Sequence, residues 1–146
     1  MKVALFSKSV RSDSIPFVKE LIKELKRANS QIFISPYIKT IAQDVIDNSI
    51  DKVFELNWSI PKDLDCLISI GGDGTLLDVI PLVKNTNLPI LGINAGRLGF
   101  LANTAQEEIS YAVKSLLEKS YRIDERSLIE VNSINSPSPF GISNYA

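Results

Sequence analysis

Residues Cys66-Leu67-Ile68-Ser69-Ile70-Gly71-Gly72-Asp73-Gly74-Thr75 decide the fold. Five residues with almost no polar interruption read as a strand buried on both faces. The glycines that follow, with one carboxylate among them, make a turn, and a helix is expected from about Thr75 to Lys84. A buried strand that runs through a glycine turn into a helix is half of a βαβ unit, and such units imply a parallel sheet.

The same grammar extends in both directions. Upstream, Lys2 to Ser7 reads as a short buried strand. Phe17, Val18, Leu21, Ile22, Leu25 and Ala28 follow at helical spacing, with Asp13 or Ser14 as N-cap and Pro16 in the first turn. Gln31 to Ser35 is the next strand, and Ile38, Ile41, Ala42, Val45 and Ile46 form a second helical stripe ending near Asn48. Val53 to Leu56 is a weaker strand, followed by a loop with Trp58 and Pro61. Downstream, Pro89 to Asn94 is an apolar strand ending in a second glycine-rich turn, Ala95-Gly96-Arg97-Leu98-Gly99. A helix marked by Ile109, Ala112, Val113, Leu116 and Leu117 comes next, with Thr104 as its expected cap. The fold expected is α/β: a Rossmann-like parallel sheet with helices on both faces, joined by right-handed crossovers.

Beyond Ser120 the pattern changes. Tyr121 to Ile134 alternates like an extended strand, and residues 135–141 read as a Pro/Ser loop. That strand has no evident hairpin partner, so it is either the first strand of another unit or an antiparallel addition to an edge of the sheet. The expected division is residues 1–120 for the α/β nucleotide-binding domain and residues 121–146 for the start of a β-rich one.

Composition limits the chemistry. The chain has 146 residues, 16 Lys+Arg against 17 Asp+Glu, no His and one Cys. Without imidazole it cannot supply a Ser-His-Asp or Cys-His arrangement, and proton transfer falls to a carboxylate, Lys, Tyr or water. Histidine-ligated metal sites and intrachain disulfides go too, and a reducing, cytoplasmic setting is expected. A formal net charge of -1 argues against a general nucleic-acid binder. The Met1–Lys8 segment is too short an apolar stretch for a secretory signal, and no uncharged run suggests a membrane span.

The two glycine-rich turns carry the candidate chemistry. In open α/β sheets the carboxyl ends of the strands hold ligands. Glycines let a phosphorylated ligand approach the backbone, and free amides at a helix start favour negative charge. Thr75 is placed to cap the helix or to donate its hydroxyl to a phosphate. A carboxylate among amides meant for phosphate would repel that phosphate, so Asp73 is expected to accept a proton from a hydroxyl or to hold Mg²⁺; the plainer alternative is a helix cap in a tight turn. In the second turn Asn94 offers an amide for sugar or base edges, Arg97 a charge for phosphate and Phe100 an aromatic face for stacking. Taken singly these read as a turn former, a solvated side chain and a core residue. The first turn is neither a P-loop nor the dinucleotide fingerprint, because no Lys-Ser/Thr pair follows and the glycine spacing differs.

Gly71-Gly72-Asp73-Gly74-Thr75-Leu76-Leu77, followed by Gly92-Ile93-Asn94-Ala95-Gly96-Arg97-Leu98-Gly99-Phe100-Leu101, resembles the two amino-terminal signatures of the NAD kinase family. Diacylglycerol and sphingosine kinases share the first signature, and the second is more particular to NAD kinases. The resemblance implies phosphoryl transfer from ATP, or in some members polyphosphate, to the 2′-hydroxyl of the adenosine ribose of NAD, with Mg²⁺, giving NADP. It implies that Asp73 is the proton acceptor and that Gly74 lies beside the NAD ribose. Gly71, Gly72 and Thr75 would face the phosphates, Leu77 would join the cofactor-binding residues of that segment, and Asn94, Gly96 and Phe100 would line the dinucleotide cleft. Arg97 stands at a place that varies in the family, and Asp78 stands where relatives carry a basic residue nearby.

Family members continue after a segment like Ser143-Asn144-Tyr145-Ala146 into a Leu-Asn-Glu motif that holds NAD, so the resemblance implies an amino-terminal fragment with little activity of its own. Small-molecule nucleotides are the expected partners, with no nucleic acid and no membrane, and the full-length protein is expected to be a homo-oligomer. The rival readings are a lipid kinase, which would use Asp73 on a lipid hydroxyl, and a dinucleotide-binding module without chemistry.

Overall fold

The computed structural model describes residues 1–47, 52–54, 60–83, 86–96, 99–102, 104–128, 130–131 and 144–145. Its first strand, β1 (Lys2–Phe6), leads through a 3-10 turn at Ser12–Ser14 into α1 (Ile15–Arg27). There follow β2 (Gln31–Ile34), α2 (Pro36–Ile41), β3 (Lys52–Val53), β4 (Cys66–Gly71), α3 (Asp73–Leu77), α4 (Ile80–Val83), β5 (Ile90–Asn94) and α5 (Ile109–Glu118). All five strands pair in parallel in the order β3-β2-β1-β4-β5. The expected parallel α/β architecture is therefore present.

Strand alternation sorts the core into two layers. Val3, Leu5, Cys66, Ile68 and Ile70 pack with Val18, Leu21, Ile22 and Leu25 of α1, Ile38 of α2, and Ile109, Val113 and Leu116 of α5. Ala4, Phe6, Phe33 and Leu67 turn the other way and meet Val79, Leu82 and Val83. Each of the four α1 side chains is wholly buried, a contribution of about 1.5–3 kcal/mol apiece relative to exposure. Asn29, at φ 53° just after α1, adopts the left-handed conformation that Asn tolerates, and the Ser30 amide donates back to Leu25 O at 3.0 Å.

Several sequence expectations change in detail. The stripe predicted as a helix to Asn48 is helical only to Ile41: Ala42 takes φ -126°, and Val45 and Ile46 pack on the core from a turn and loop. Asn48 lies outside the described residues, as do Leu56, Trp58 and Lys84. The helix expected from Thr75 to Lys84 starts earlier and divides into α3 and α4. Pro81 explains the division, because it has no amide to donate to Leu77 O and its ring crowds that carbonyl.

Thr104 does not cap α5. A 3-10 turn at Gln106–Glu108 intervenes, and Thr104 instead forms a parallel bridge with Ile93 beside β5. The Ala105 amide is taken by Glu108 Oε2 at 2.9 Å. Residues 121–128, expected as the first part of a long strand, carry no regular element, and residues 129 and 132–134 of the expected strand lie outside the described residues; β6 (Glu130–Val131) pairs antiparallel with β7 (Asn144–Tyr145). Its partner is thus within the chain, in a separate two-stranded sheet rather than on the edge of the parallel one. The loop expected at 135–141 lies outside the described residues.

Candidate functional site

Strand order fixes where a ligand can enter. From β1 the chain winds outward through β2 to β3, then crosses back to place β4 on the other side of β1. The loops after β1 and β4 therefore leave in opposite directions and part at the carboxyl ends of the strands, the position where open α/β sheets bind ligands. A crevice of about 330 Å³ opens there, lined by Ser9, Val10, Arg11, Gly71, Gly72, Asn94, Ala95 and Gly96. Its size is at the low end of ligand pockets, roughly 300–1,000 Å³.

The first wall is the loop after β1. Ser35 Oγ accepts the Ser7 amide at 3.3 Å and donates to Ser7 O at 3.2 Å. The Tyr37 hydroxyl accepts the Val10 amide at 3.1 Å and donates to Val10 O at 3.5 Å. Lys8 pairs with Asp78 at 2.7 Å, tying this loop to the residue that follows α3. Arg11, paired with Asp13, adds a largely exposed cation at the rim.

The second wall is the Gly71-Gly72 turn. A Cβ on Gly71 would lie 2.3 Å from Thr75 Oγ1, so the turn can close on α3 only with glycine there. Gly72 holds the N-cap position and Thr75 sits within the helix, so neither Asp73 nor Thr75 is the helix cap. Gly74 is exposed, with nothing within 4 Å of the space a Cβ would take. Leu77, at the far end of α3, is 41% exposed.

The third wall is the second glycine turn, which leaves β5 and returns alongside it. Its two limbs are joined by the Asn94 amide donating to Thr104 O at 2.8 Å, and the Ala95 amide joins it to the first turn through Gly71 O at 3.1 Å. Ser14 Oγ, at the start of α1, donates to Ala95 O at 3.0 Å. Asn94 is buried; its Oδ1 accepts the Gly96 amide at 2.7 Å and its Nδ2 donates to Ala102 O at 3.1 Å. Two bonds of the amide expected to read a sugar or base thus go to the backbone of its own loop.

Asp73 links the two turns. Its Oδ1 accepts the Leu101 amide at 2.9 Å and the Ala102 amide at 3.0 Å, and its Oδ2 accepts the Phe100 amide at 2.9 Å. These bonds, with that from Ala102 foremost, hold the carboxyl below the usual carboxylate range. Phe100 is 93% exposed, so its core reading fails and its ring is free to meet a ligand.

Of the sequence-chosen residues, Gly71, Gly72, Asn94 and Gly96 line the crevice, Asp73 ties the two turns together, and Gly74 and Thr75 lie within α3. Arg97 lies outside the described residues. Sequence reasoning missed Ser9, Val10 and Arg11, whose one signal was basic residues just after a strand, and Gly99, which the turn's glycine count contained. Among the described residues no three His, Cys, Asp or Glu side chains gather as a metal site.

A family profile described as the ATP-NAD kinase N-terminal domain matches residues 3–121. The chain is 39% identical over 133 residues to a NAD kinase of Flavobacterium psychrophilum, a match covering 90% of this chain and 45% of that protein. It is 36% identical over 148 residues to a NAD kinase of Cytophaga hutchinsonii, covering 100% of this chain and 50% of that protein. The chain thus spans about half the length of the curated relatives it matches. Among solved structures it resembles yeast NADH kinase complexed with NADH, with a TM-score of 0.76 at 20% identity over 100% of this chain and 46% of the yeast chain. At that identity the likeness speaks to the fold.

Proposed function

The chain belongs to the ATP-NAD kinase N-terminal domain family, and on that footing we propose that it forms the phosphoryl-transfer half of an NAD kinase. The reaction moves the terminal phosphoryl group of ATP, or of polyphosphate, to the 2′-hydroxyl of the adenosine ribose of NAD, and yields NADP. One observation carries the reading: a glycine-walled crevice at the β1/β4 switch point, with Asp73 following the lining residue Gly72 and tying the two glycine turns together.

The chemistry follows from the lone pairs. Oδ1 of Asp73 already accepts two amides, whereas Oδ2 accepts one and keeps a position for a hydroxyl hydrogen. A carboxylate held below its usual range is a weak base, so its first task is to align the ribose hydroxyl, with the proton passing to it late. Phosphoryl transfer suits that division, because positioning and charge stabilisation dominate its catalysis. Gly71, Gly72 and Gly74 let phosphates and ribose approach the backbone, Thr75 and Leu77 complete that segment, and Gly96 and Phe100 form the other side of the cleft. Asn94 holds the second turn in place, and Arg97 keeps its proposed role as a charge for phosphate.

Mg²⁺ is part of the proposal only as a companion of the triphosphate. Asp73, the carboxylate at the crevice, has three of its acceptor positions filled, which does not fit a cage built by the described residues. A reducing, cytoplasmic location is part of the proposal, consistent with the free thiol of Cys66; no described helix is long and apolar enough to cross a membrane. A boundary near residue 120, with a β-rich unit after it, is supported by the end of α5 at Glu118 and the separate β6-β7 pair. A homo-oligomer remains part of the reading. The test is NADP formation from NAD and ATP by the protein that contains this chain: phosphorylation of NAD supports the proposal, whereas phosphorylation of diacylglycerol with NAD untouched refutes it.

A further inference from the structure

The limb Gly99–Ala102 is 26–29 residues from Asp73 in sequence, yet that carboxylate is what holds it. Three consecutive amides, those of Phe100, Leu101 and Ala102, donate to its two oxygens at 2.9–3.0 Å. The fit depends on Gly99, where a Cβ would lie 2.2 Å from Asp73 Oδ1 and 2.7 Å from Oδ2, closer than any real contact. From the other side Asn94 Nδ2 donates to Ala102 O at 3.1 Å, so both backbone groups of Ala102 are gripped by side chains. Between these grips the Phe100 ring stands out into solvent.

We propose that Asp73 is a positioning residue: its carboxylate latches the Gly99–Ala102 limb onto the first glycine turn and thereby fixes the Phe100 ring as a wall of the nucleotide site. The inference rests on reading the crevice as a nucleotide site and gives Asp73 a task that precedes any hydroxyl it meets. A carboxylate has about four acceptor positions, and here the chain's own backbone fills three of them. A residue serving only as proton acceptor has no need of three partners in a row, nor of a glycine cleared to make room for it. Asparagine replaces the latch only in part: its uncharged Oδ1 can accept two of the amides, but its Nδ2 donates and would face the third N–H.

The test uses Asp73→Asn, Gly99→Ala and Phe100→Ala in the protein that contains this chain, read by amide hydrogen exchange at residues 100–102 and by the KM-against-kcat split for NAD. The latch predicts exchange at least about tenfold faster at the three amides in both Asp73→Asn and Gly99→Ala, with KM raised about tenfold or more in each. Phe100→Ala should raise KM and leave exchange unchanged. An Asp73→Asn protein with lower kcat but unaltered exchange and KM would overturn the proposal and leave Asp73 a proton acceptor only. Should Asp73→Asn fail to fold, Gly99→Ala, which keeps the carboxylate, decides by exchange alone: unaltered amides overturn the latch. A parent protein that does not phosphorylate NAD would sink the proposed function, and the exchange arm would still decide the latch.

Discussion

Replacing Gly74 with alanine should make the protein more stable and worse at binding nucleotide. Gly74 lies within α3 between Asp73 and Thr75, is exposed, and has nothing within 4 Å of the position a Cβ would occupy. The methyl group therefore meets no protein atom. Alanine is favoured over glycine in a helix by about 0.8–1 kcal/mol, and Gly→Ala at a compatible site gains about 0.4–1 kcal/mol through the unfolded chain. These are two views of one effect, so the expected gain is about 0.5–1 kcal/mol. For a domain of this size that is a rise in Tm of roughly 1–4 °C. A ligand that comes close to the α3 backbone would meet the same methyl group, and an affinity loss of about tenfold corresponds to about 1.4 kcal/mol. Thermal unfolding and calorimetric titration with NAD, in the protein that contains this chain, read the two effects separately. A Gly74→Ala protein that is destabilised, or that binds NAD as tightly as the parent, would refute the idea that this glycine is kept for a ligand.

Three other perturbations address the fold around the site. Ile68→Ala removes a wholly buried side chain at the centre of β4 and should cost about 2–5 kcal/mol, read as a lower urea midpoint with an unchanged slope. Asp44, Asp63 and Asp73 are all held below the ordinary carboxylate value, by Lys19, by Lys2 and by the loop amides respectively. Their stabilisation is complete above the unfolded value, about pH 4, and is lost as pH falls through the lower folded values, so the urea midpoint should hold from pH 7 to about pH 5 and drop below about pH 4. Cys66 is buried with its thiol pushed up to about 12; iodoacetamide at pH 8 should leave the native chain unlabelled and modify it once urea unfolds it.

The strands and both glycine turns were legible because their signals are local. Cys66–Gly71 is apolar without a break and ends in glycines, and one short window of sequence contains all of that. Helix extents were less legible. The apolar stripe from Ile38 to Ile46 marks burial correctly, but burial alone does not tell a helix from a turn packed on the same core. Pro81 lay in plain view within the predicted helix, and its missing amide is what splits α3 from α4.

What could not be read from the sequence is long-range. The bonds to Asp73 come from amides 27–29 residues further on, and a backbone amide has no sequence signature. The loop after β1 enters the crevice because β4 is laid down beside β1, a consequence of strand order. The partner of the strand after residue 120 was hidden for a related reason: β7 is Asn144–Tyr145, two residues, below the length at which alternation is visible.

Most directly, the account is tested by mapping amide chemical-shift changes in the isotope-labelled chain on titration with Mg·ATP. Saturable shifts are expected at Ser9–Arg11, Gly71–Gly72 and Asn94–Gly96, the three walls of the crevice. Saturable shifts confined to other surfaces, such as the exposed Tyr111 face of α5, would contradict it.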